Sequence, residues 1–181
     1  MDQGLIPRRY AKALYGFASD KGVTERVYVL MKNLEASFAE LPDLQKALAN
    51  PFVNGDDKTQ LLFTASQASK ADSVFADFVK LLIHNRRVDD VRQIALAYLK
   101  IYREERNIHV VHVESAAPLA PDEEKRLRRL VERHIGDDAM EFTTGVDPSL
   151  IGGFTISVDN ERLDASISNE LRQLRQNLIS K

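Results

Sequence analysis

The 181-residue sequence is 44% hydrophobic and 29% charged and contains no cysteine. That is enough apolar material for one large packed domain or two small ones, and it excludes disulfides, thiolate nucleophiles and Cys-based zinc sites. Its 25 Lys+Arg against 27 Asp+Glu give a formal net charge of −2, without the basic excess that drives association with nucleic acid or anionic membrane, so a protein partner is the expectation.

The opening Met1-Asp2-Gln3-Gly4 lacks the basic and apolar regions of a signal peptide. No apolar run approaches the roughly 20 residues that span a bilayer. The expectation is a chain that stays where it is made, or docks on a membrane complex from outside the lipid without inserting. An N-terminal Met without a transit segment favours a bacterial source.

From Leu5 to about Arg106 the apolar spacing is helical, punctuated by Gly22, Pro42, Pro51, Gly55 and the polar turn at Asn85-Arg86-Arg87. Six helices are predicted, over 6–21, 24–41, 43–49, 56–69, 72–85 and 88–105. The second is an ordinary surface helix whose Val27, Leu30, Met31, Leu34, Phe38 and Leu41 lie within about 100°. The first is wider: Ala13, Ile6, Phe17, Tyr10, Leu14, Ala18, Ala11 and Tyr15 spread over about 200°. Its small residues admit a close neighbour, and its tyrosines suit an interface edge. The fifth shares the trait, with Leu81, Val74, Phe78, Leu82, Phe75, Val79, Ile83 and Ala76 over about 220°. Two over-wide helices form a candidate helix-in-groove site, or else two central helices covered by their own neighbours. Periodicity alone does not separate these.

At Asn107 the period changes. Ile108, Val110, Val111 and Val113 are β-branched and favour a strand, which puts the domain boundary near Asn107, with domains over 1–106 and 107–181. Pro121-Asp122-Glu123-Glu124 opens a helix and Gly136 closes it. Strands are expected at 140–146 and 153–158, with Gly152-Gly153 allowing a bend or bulge where the second of these begins. Asp164 is expected to cap a last helix whose Ile167, Leu171, Leu174 and Leu178 form a narrow stripe. The fold class is therefore α+β: an N-terminal six-helix bundle followed by a small β-α-β-β domain with a C-terminal helix. Charge divides as 16 basic and 14 acidic residues up to Arg106, and 9 basic and 13 acidic afterwards, too mildly to name a ligand.

Catalytic and cofactor chemistry is missing. Of His84, His109, His112 and His134, the only close pair sits in a strand at i and i+3, on opposite faces, so no metal is expected. His134 falls on the apolar face of its helix, where a satisfied, partly buried histidine is expected. Gly152-Gly153 lacks a phosphate-loop frame and precedes a strand, so no nucleotide cofactor follows from it, and the pair is read as structural. The carboxylate pairs Asp56-Asp57, Asp89-Asp90 and Asp137-Asp138 sit at turns or helix starts, where capping and solvation account for them. A hydrolase would need a pocket joining two of these pairs, and their spacing suggests none. Lys125, Arg126, Arg128, Arg129 and Arg133 raise the alternative of an RNA-associated helical adaptor. Glu123, Glu124 and Glu132 interleave with them, and no aromatic residue is there to stack on bases.

Several segments in order resemble a known family. Arg9-Tyr10-Ala11-Lys12-Ala13-Leu14-Tyr15 is similar to the opening of the delta subunits of F-type ATP synthases and of their mitochondrial counterpart, the oligomycin-sensitivity-conferring protein. Asn50-Pro51 before a helix start containing Lys58, Phe78-x-x-x-Leu82-x-x-Asn85-x-Arg87, Leu150-Ile151-Gly152-Gly153-Phe154-Thr155-Ile156 and Leu163-Asp164-Ala165-Ser166-Ile167 follow. The likeness covers nearly the whole chain. Arg86 stands where many members have glycine, and Tyr15 where many have phenylalanine.

The resemblance implies a non-catalytic, cofactor-free stator subunit at the top of the peripheral stalk, one copy per complex. It would lie on the cytoplasmic face of a bacterial inner membrane as part of the ATP synthase. The helical domain would bind an N-terminal segment of the alpha subunit through Tyr10, Ala13, Leu14, Phe17, Phe78, Val79 and Leu82. The C-terminal domain would bind the b-type stalk around Gly152, Gly153, Ile167, Leu171 and Leu174.

Overall fold

The computed structural model describes residues 4–136 and 138–179. Met1, Asp2, Gln3 and Asp137, on which the readings of the N-terminus and of one carboxylate pair partly rest, lie outside them. The chain divides into two compact units, one ending at Glu105 and the other beginning at Arg106.

The first unit is helical: α1 (Leu5–Asp20), α2 (Thr24–Glu40), α3 (Pro42–Ala49), α4 (Gly55–Ser66), α5 (Ser73–His84) and α6 (Val91–Arg106), the last preceded by a 3₁₀ turn at Val88–Asp90. The boundaries have local causes. Gly22, at φ 68°, ends α1 in the left-handed conformation that glycine reaches without steric cost, while the Val23 N–H returns to the Ala18 carbonyl at 2.9 Å. Pro42 occupies the first position of α3, where its missing N–H costs nothing. The Asn54 side chain caps α4 by accepting the Asp57 N–H at 2.7 Å. Two residues past the end of α5, Arg86 takes a φ of 56°, the conformation glycine adopts readily at a helix C-terminus, and the Arg87 N–H returns to the Leu82 carbonyl at 2.8 Å.

What holds these helices is their inward faces. Leu30, Met31 and Leu34 of α2, Leu62 of α4, Phe75 and Leu82 of α5, and Ile94 and Tyr98 of α6 are all fully buried, each contributing roughly 1.5–3 kcal/mol over exposure. The Tyr98 hydroxyl donates to the Thr24 carbonyl at 3.1 Å, so its polar end is satisfied inside the core. Arg26 of α2 forms a two-pronged ion pair with Asp72, ahead of α5, at 2.8 and 2.9 Å. That carboxylate also accepts the Ser69 N–H at 2.7 Å, and the Arg26 guanidinium, with Ser69, holds it well below the usual carboxylate range.

The second unit is a four-stranded mixed sheet with two helices: β1 (Ile108–Ser115), α7 (Pro121–Ile135), β2 (Ala139–Val146), a 3₁₀ turn at Pro148–Leu150, β3 (Gly153–Val158), β4 (Glu161–Ser166) and α8 (Ile167–Ile179). The strand order is β2-β1-β3-β4. β1 and β2 run parallel, which requires a crossover, and α7 supplies it; the other pairs are antiparallel. Side chains alternate across the sheet, so Val111, Val113 and Ile156 pack with Leu127 and Val131 of α7, while His112, Thr143 and Arg162 lie on the other face.

Two sequence expectations are corrected here. Asp164 does not cap the last helix: it lies in a fourth strand absent from the sequence reading, and α8 starts at Ile167, with the Ser166 hydroxyl accepting the Asn169 N–H at 3.2 Å. Asp164 instead accepts from the Ser166 hydroxyl and backbone N–H. β4 escapes a pattern search because its only apolar residues, Leu163 and Ala165, make too short an alternation to stand out, and both are exposed. It is an edge strand carrying Glu161, Arg162 and Asp164, charges that discourage edge pairing. The second correction concerns His134, whose side chain is 66% exposed and stands 3.5 Å from Glu161.

Candidate functional site

The two over-wide helices are neighbours. Asn85, at the end of α5, donates its side-chain amide to the Tyr10 hydroxyl of α1 at 3.0 Å. The domain's own packing consumes much of the excess width. On α1, Ala11, Leu14 and Ala18 are buried and Ile6, Tyr10 and Tyr15 half-buried, while Ala13 and Phe17 remain exposed. On α5, Val74, Phe75, Phe78, Val79 and Leu82 are buried, and Leu81 is exposed.

The residues singled out from sequence therefore fall into two layers. Leu14, Phe78, Val79 and Leu82 belong to the domain core, and Tyr10, Ala13 and Phe17 face outward at i, i+3 and i+7 of one helix face. Leu81, 46% exposed and one turn before Asn85, joins the outward layer. Leu81 belongs to the wide apolar arc of the fifth helix, outside the residues that the family resemblance implies. Its spacing of four from Asn85 is the signal that marks it. The resulting surface is apolar at its centre, with exposed cations Arg9 and Lys12 on α1 beside it. The Lys21 ammonium lies 6.0 Å from the Phe17 ring centroid.

In the second unit, α8 buries none of its residues. Ile167, Leu171, Leu174 and Leu178 are 45, 52, 58 and 78% exposed, an apolar stripe that stays mostly open to solvent past its first turn. Its first turn is anchored through the glycine pair. A Cβ on Gly152 would stand 2.5 Å from the Ile167 Cδ1, and Gly153, at φ 74°, would place one 2.2 Å from the Ala165 carbonyl oxygen. Both positions require glycine for close approach. Ile151, immediately before them, is 65% exposed at φ 65°, an uncommon backbone state for a β-branched residue. Between α7 and the β3–β4 hairpin lies an open slot of about 530 Å³, floored by Val131, Ile156 and Val158 and edged by Leu130, Leu163, Arg133 and Arg162.

The groups tested for chemistry are otherwise engaged. His112 Nδ1 lies 2.9 Å from the Thr143 hydroxyl, which itself donates to the Val111 carbonyl, so that hydroxyl is committed to the sheet. Arg128 of the Arg-rich helix stands 3.8 Å from Glu132 and over the Phe142 ring at 5.7 Å, which interrupts any continuous cationic face. Among the described residues no cluster of His, Asp or Glu could hold a metal ion, and no helix is long and apolar enough to cross a membrane.

A family model described as "ATP synthase delta (OSCP) subunit" matches residues 6–178. Among curated relatives, the ATP synthase subunit delta of Bacteroides thetaiotaomicron is 37% identical over 182 residues, covering 100% of this chain and 97% of that one. The same-named subunit of Phocaeicola vulgatus is 35% identical over 179 residues, covering 98% and 96%. That of Prochlorococcus marinus subsp. pastoris is 34% identical over 165 residues, covering 91% of each. A chain in the cryo-EM structure of the Toxoplasma gondii mitochondrial ATP synthase hexamer superposes with a TM-score of 0.72 over 96% of this chain and 97% of that one; at 22% identity this is a likeness of fold.

Proposed function

Because the chain belongs to the ATP synthase delta (OSCP) subunit family, a family of structural and not catalytic subunits, we propose that it is the stator clamp of an F-type ATP synthase. It links the alpha/beta catalytic head to the peripheral b stalk, so that rotation of the central shaft is coupled to ATP synthesis and proton transport. The six helices of the first unit act as a bundle that receives an N-terminal helix of the alpha subunit. Tyr10, Ala13 and Phe17 meet that helix, joined by Leu81, while Leu14, Phe78, Val79 and Leu82 support them from beneath. The second unit holds the b-type stalk subunit through the α8 stripe of Ile167, Leu171 and Leu174, with Gly152 and Gly153 fixing where that helix leaves the sheet. The complex carries one copy, peripherally, on the cytoplasmic face of a bacterial inner membrane.

The observation that carries this reading is that each unit has its own uncovered apolar face: Ala13, Phe17 and Leu81 on one, the α8 stripe on the other. A clamp needs slow release, and two tethered apolar contacts give it, since a partner freed at one contact is held nearby by the other. The test is Ala13→Asp. Ala13 is exposed in the free unit, so the carboxylate is solvated there and the fold is retained. Under a docked helix it becomes an unpaired buried charge, and binding of an alpha-subunit N-terminal peptide weakens by about 3 kcal/mol or more. Calorimetric titration beside circular dichroism reads both effects. Unchanged affinity in a folded variant would falsify the groove assignment.

A further inference from the structure

Within the second unit one imidazole joins three separate segments. His109, near the start of β1, has Nδ1 at 2.7 Å from Oδ2 of Asp159 in the β3–β4 turn and Nε2 at 3.4 Å from Oδ2 of Asp138 in the α7–β2 loop. The turn is fastened to β1 independently as well: Asp159 Oδ1 accepts the Val110 N–H and the Asp159 N–H donates to the Val110 carbonyl, both at 3.0 Å. The loop is where the ring's proton inventory decides the outcome. A neutral imidazole has a single N–H and a lone pair on its other nitrogen; an imidazolium has two N–H donors. With the shorter contact keeping its proton on Nδ1, a neutral ring turns a lone pair toward the Asp138 carboxylate, which repels it. Only the protonated ring satisfies both carboxylates.

We propose that His109 is a proton-operated pin, which on protonation fastens the α7–β2 loop to β1 and the β3–β4 turn and so firms that end of the sheet. It stands or falls apart from the stator role.

The surroundings favour the charged ring. The carboxylates of Asp159 and Asp138 are the charges that act on it; the bond to Asp159 contributes most, partial burial opposes it, and Asp138 adds to it, so His109 binds its proton more tightly than an ordinary histidine. From β2 its register partner is Met140, uncharged, and Glu141 falls on the opposite face of the sheet. At the end of α7, His134 is paired with Glu161 of β4. The sign follows from linkage. Because the folded-state affinity for the proton is raised, the stabilisation is complete below the ordinary histidine value of about 6.5 and is lost as pH rises through the raised value. Both carboxylates are about half exposed, so the effect is screened by salt.

The experiment uses the full-length chain. Proton NMR of the four histidines gives the His109 midpoint, and amide exchange across residues 138–141, corrected for intrinsic rate, gives the firmness of the loop. Expected are a His109 midpoint above the ordinary value, a downward shift of that midpoint in Asp138→Asn, and protection that rises several-fold on acidification in the natural protein but not in His109→Gln. A His109 midpoint at or below the ordinary value, an unmoved midpoint in Asp138→Asn, or undiminished pH-dependent protection in His109→Gln each overturns the proposal. Should His109→Gln disrupt the sheet, Asp138→Asn decides alone, since Asp138 is exposed.

Discussion

Replacing Gly153 with alanine combines two penalties in one position. The residue sits at φ 74°, where a side chain costs about 1–2 kcal/mol. The new Cβ would lie 2.2 Å from the Ala165 carbonyl oxygen, below the 3.0 Å that such carbons essentially never cross, and that obstacle is backbone, not a flexible side chain. Relief means separating Gly153 from Ser166, the end pair of the β3–β4 ladder. Ser166 in turn presents the hydroxyl that caps α8, so loosening it adds hydrogen bonds of about 1 kcal/mol each. The total is about 3 kcal/mol, which at a denaturant dependence of roughly 1–3 kcal/mol per molar lowers a urea midpoint by about 1–3 M. The assay exploits an accident of composition. All five tyrosines precede Asn107 and there is no tryptophan, so tyrosine fluorescence follows the first unit alone, while far-ultraviolet circular dichroism follows both. Gly153→Ala should move the dichroism transition of the second unit and leave the tyrosine transition in place. Superimposable dichroism curves for variant and natural protein would refute the close-approach argument.

Asp72→Asn should destabilise the first unit by about 1–2 kcal/mol, a moderate figure because Arg26 is half exposed. Since the Asp72 carboxyl is held below its ordinary range, the natural protein has this stabilisation in full above about pH 4 and loses it as pH falls further, whereas the variant's tyrosine transition should be flatter with pH across that acid range. Gly16→Ala, in the exposed interior of α1 with nothing within 4 Å of the added carbon, should raise the midpoint of the tyrosine transition by about 0.5–1 kcal/mol of stability.

The helices of the first unit were legible because their apolar residues recur at helical spacing and their ends carry Gly22, Pro42 and Asn54. The β1–α7–β2 succession was legible, though not its parallel pairing, because β-branched residues, a Pro-acidic helix start and Gly136 mark its elements. β4 was not, because its alternation is only Leu163 and Ala165 among charged residues and Asp164 reads equally well as a helix cap; the pair Asp159-Asn160, with Asp159 at φ 49°, is the turn signal that would have exposed the hairpin. The width of α1 and α5 was readable as well. How much of it the unit's own packing covers was not, because a helix projection gives direction without neighbours: Phe78 and Phe17 look alike on a wheel, and one is core while the other faces outward. His134 misled for a related reason. It shares its helix face with Val131, but it lies past the apolar contact with the sheet, at the rim of the open slot, beside Glu161.

The stator role is tested most directly by following ATP hydrolysis and ATP-driven acidification together in membrane vesicles whose ATP synthase lacks this chain. Without it, hydrolysis should continue while acidification is lost; the purified natural chain should restore acidification, and Ala13→Asp should restore it only at much higher concentration. Full acidification in vesicles lacking the chain would contradict the account.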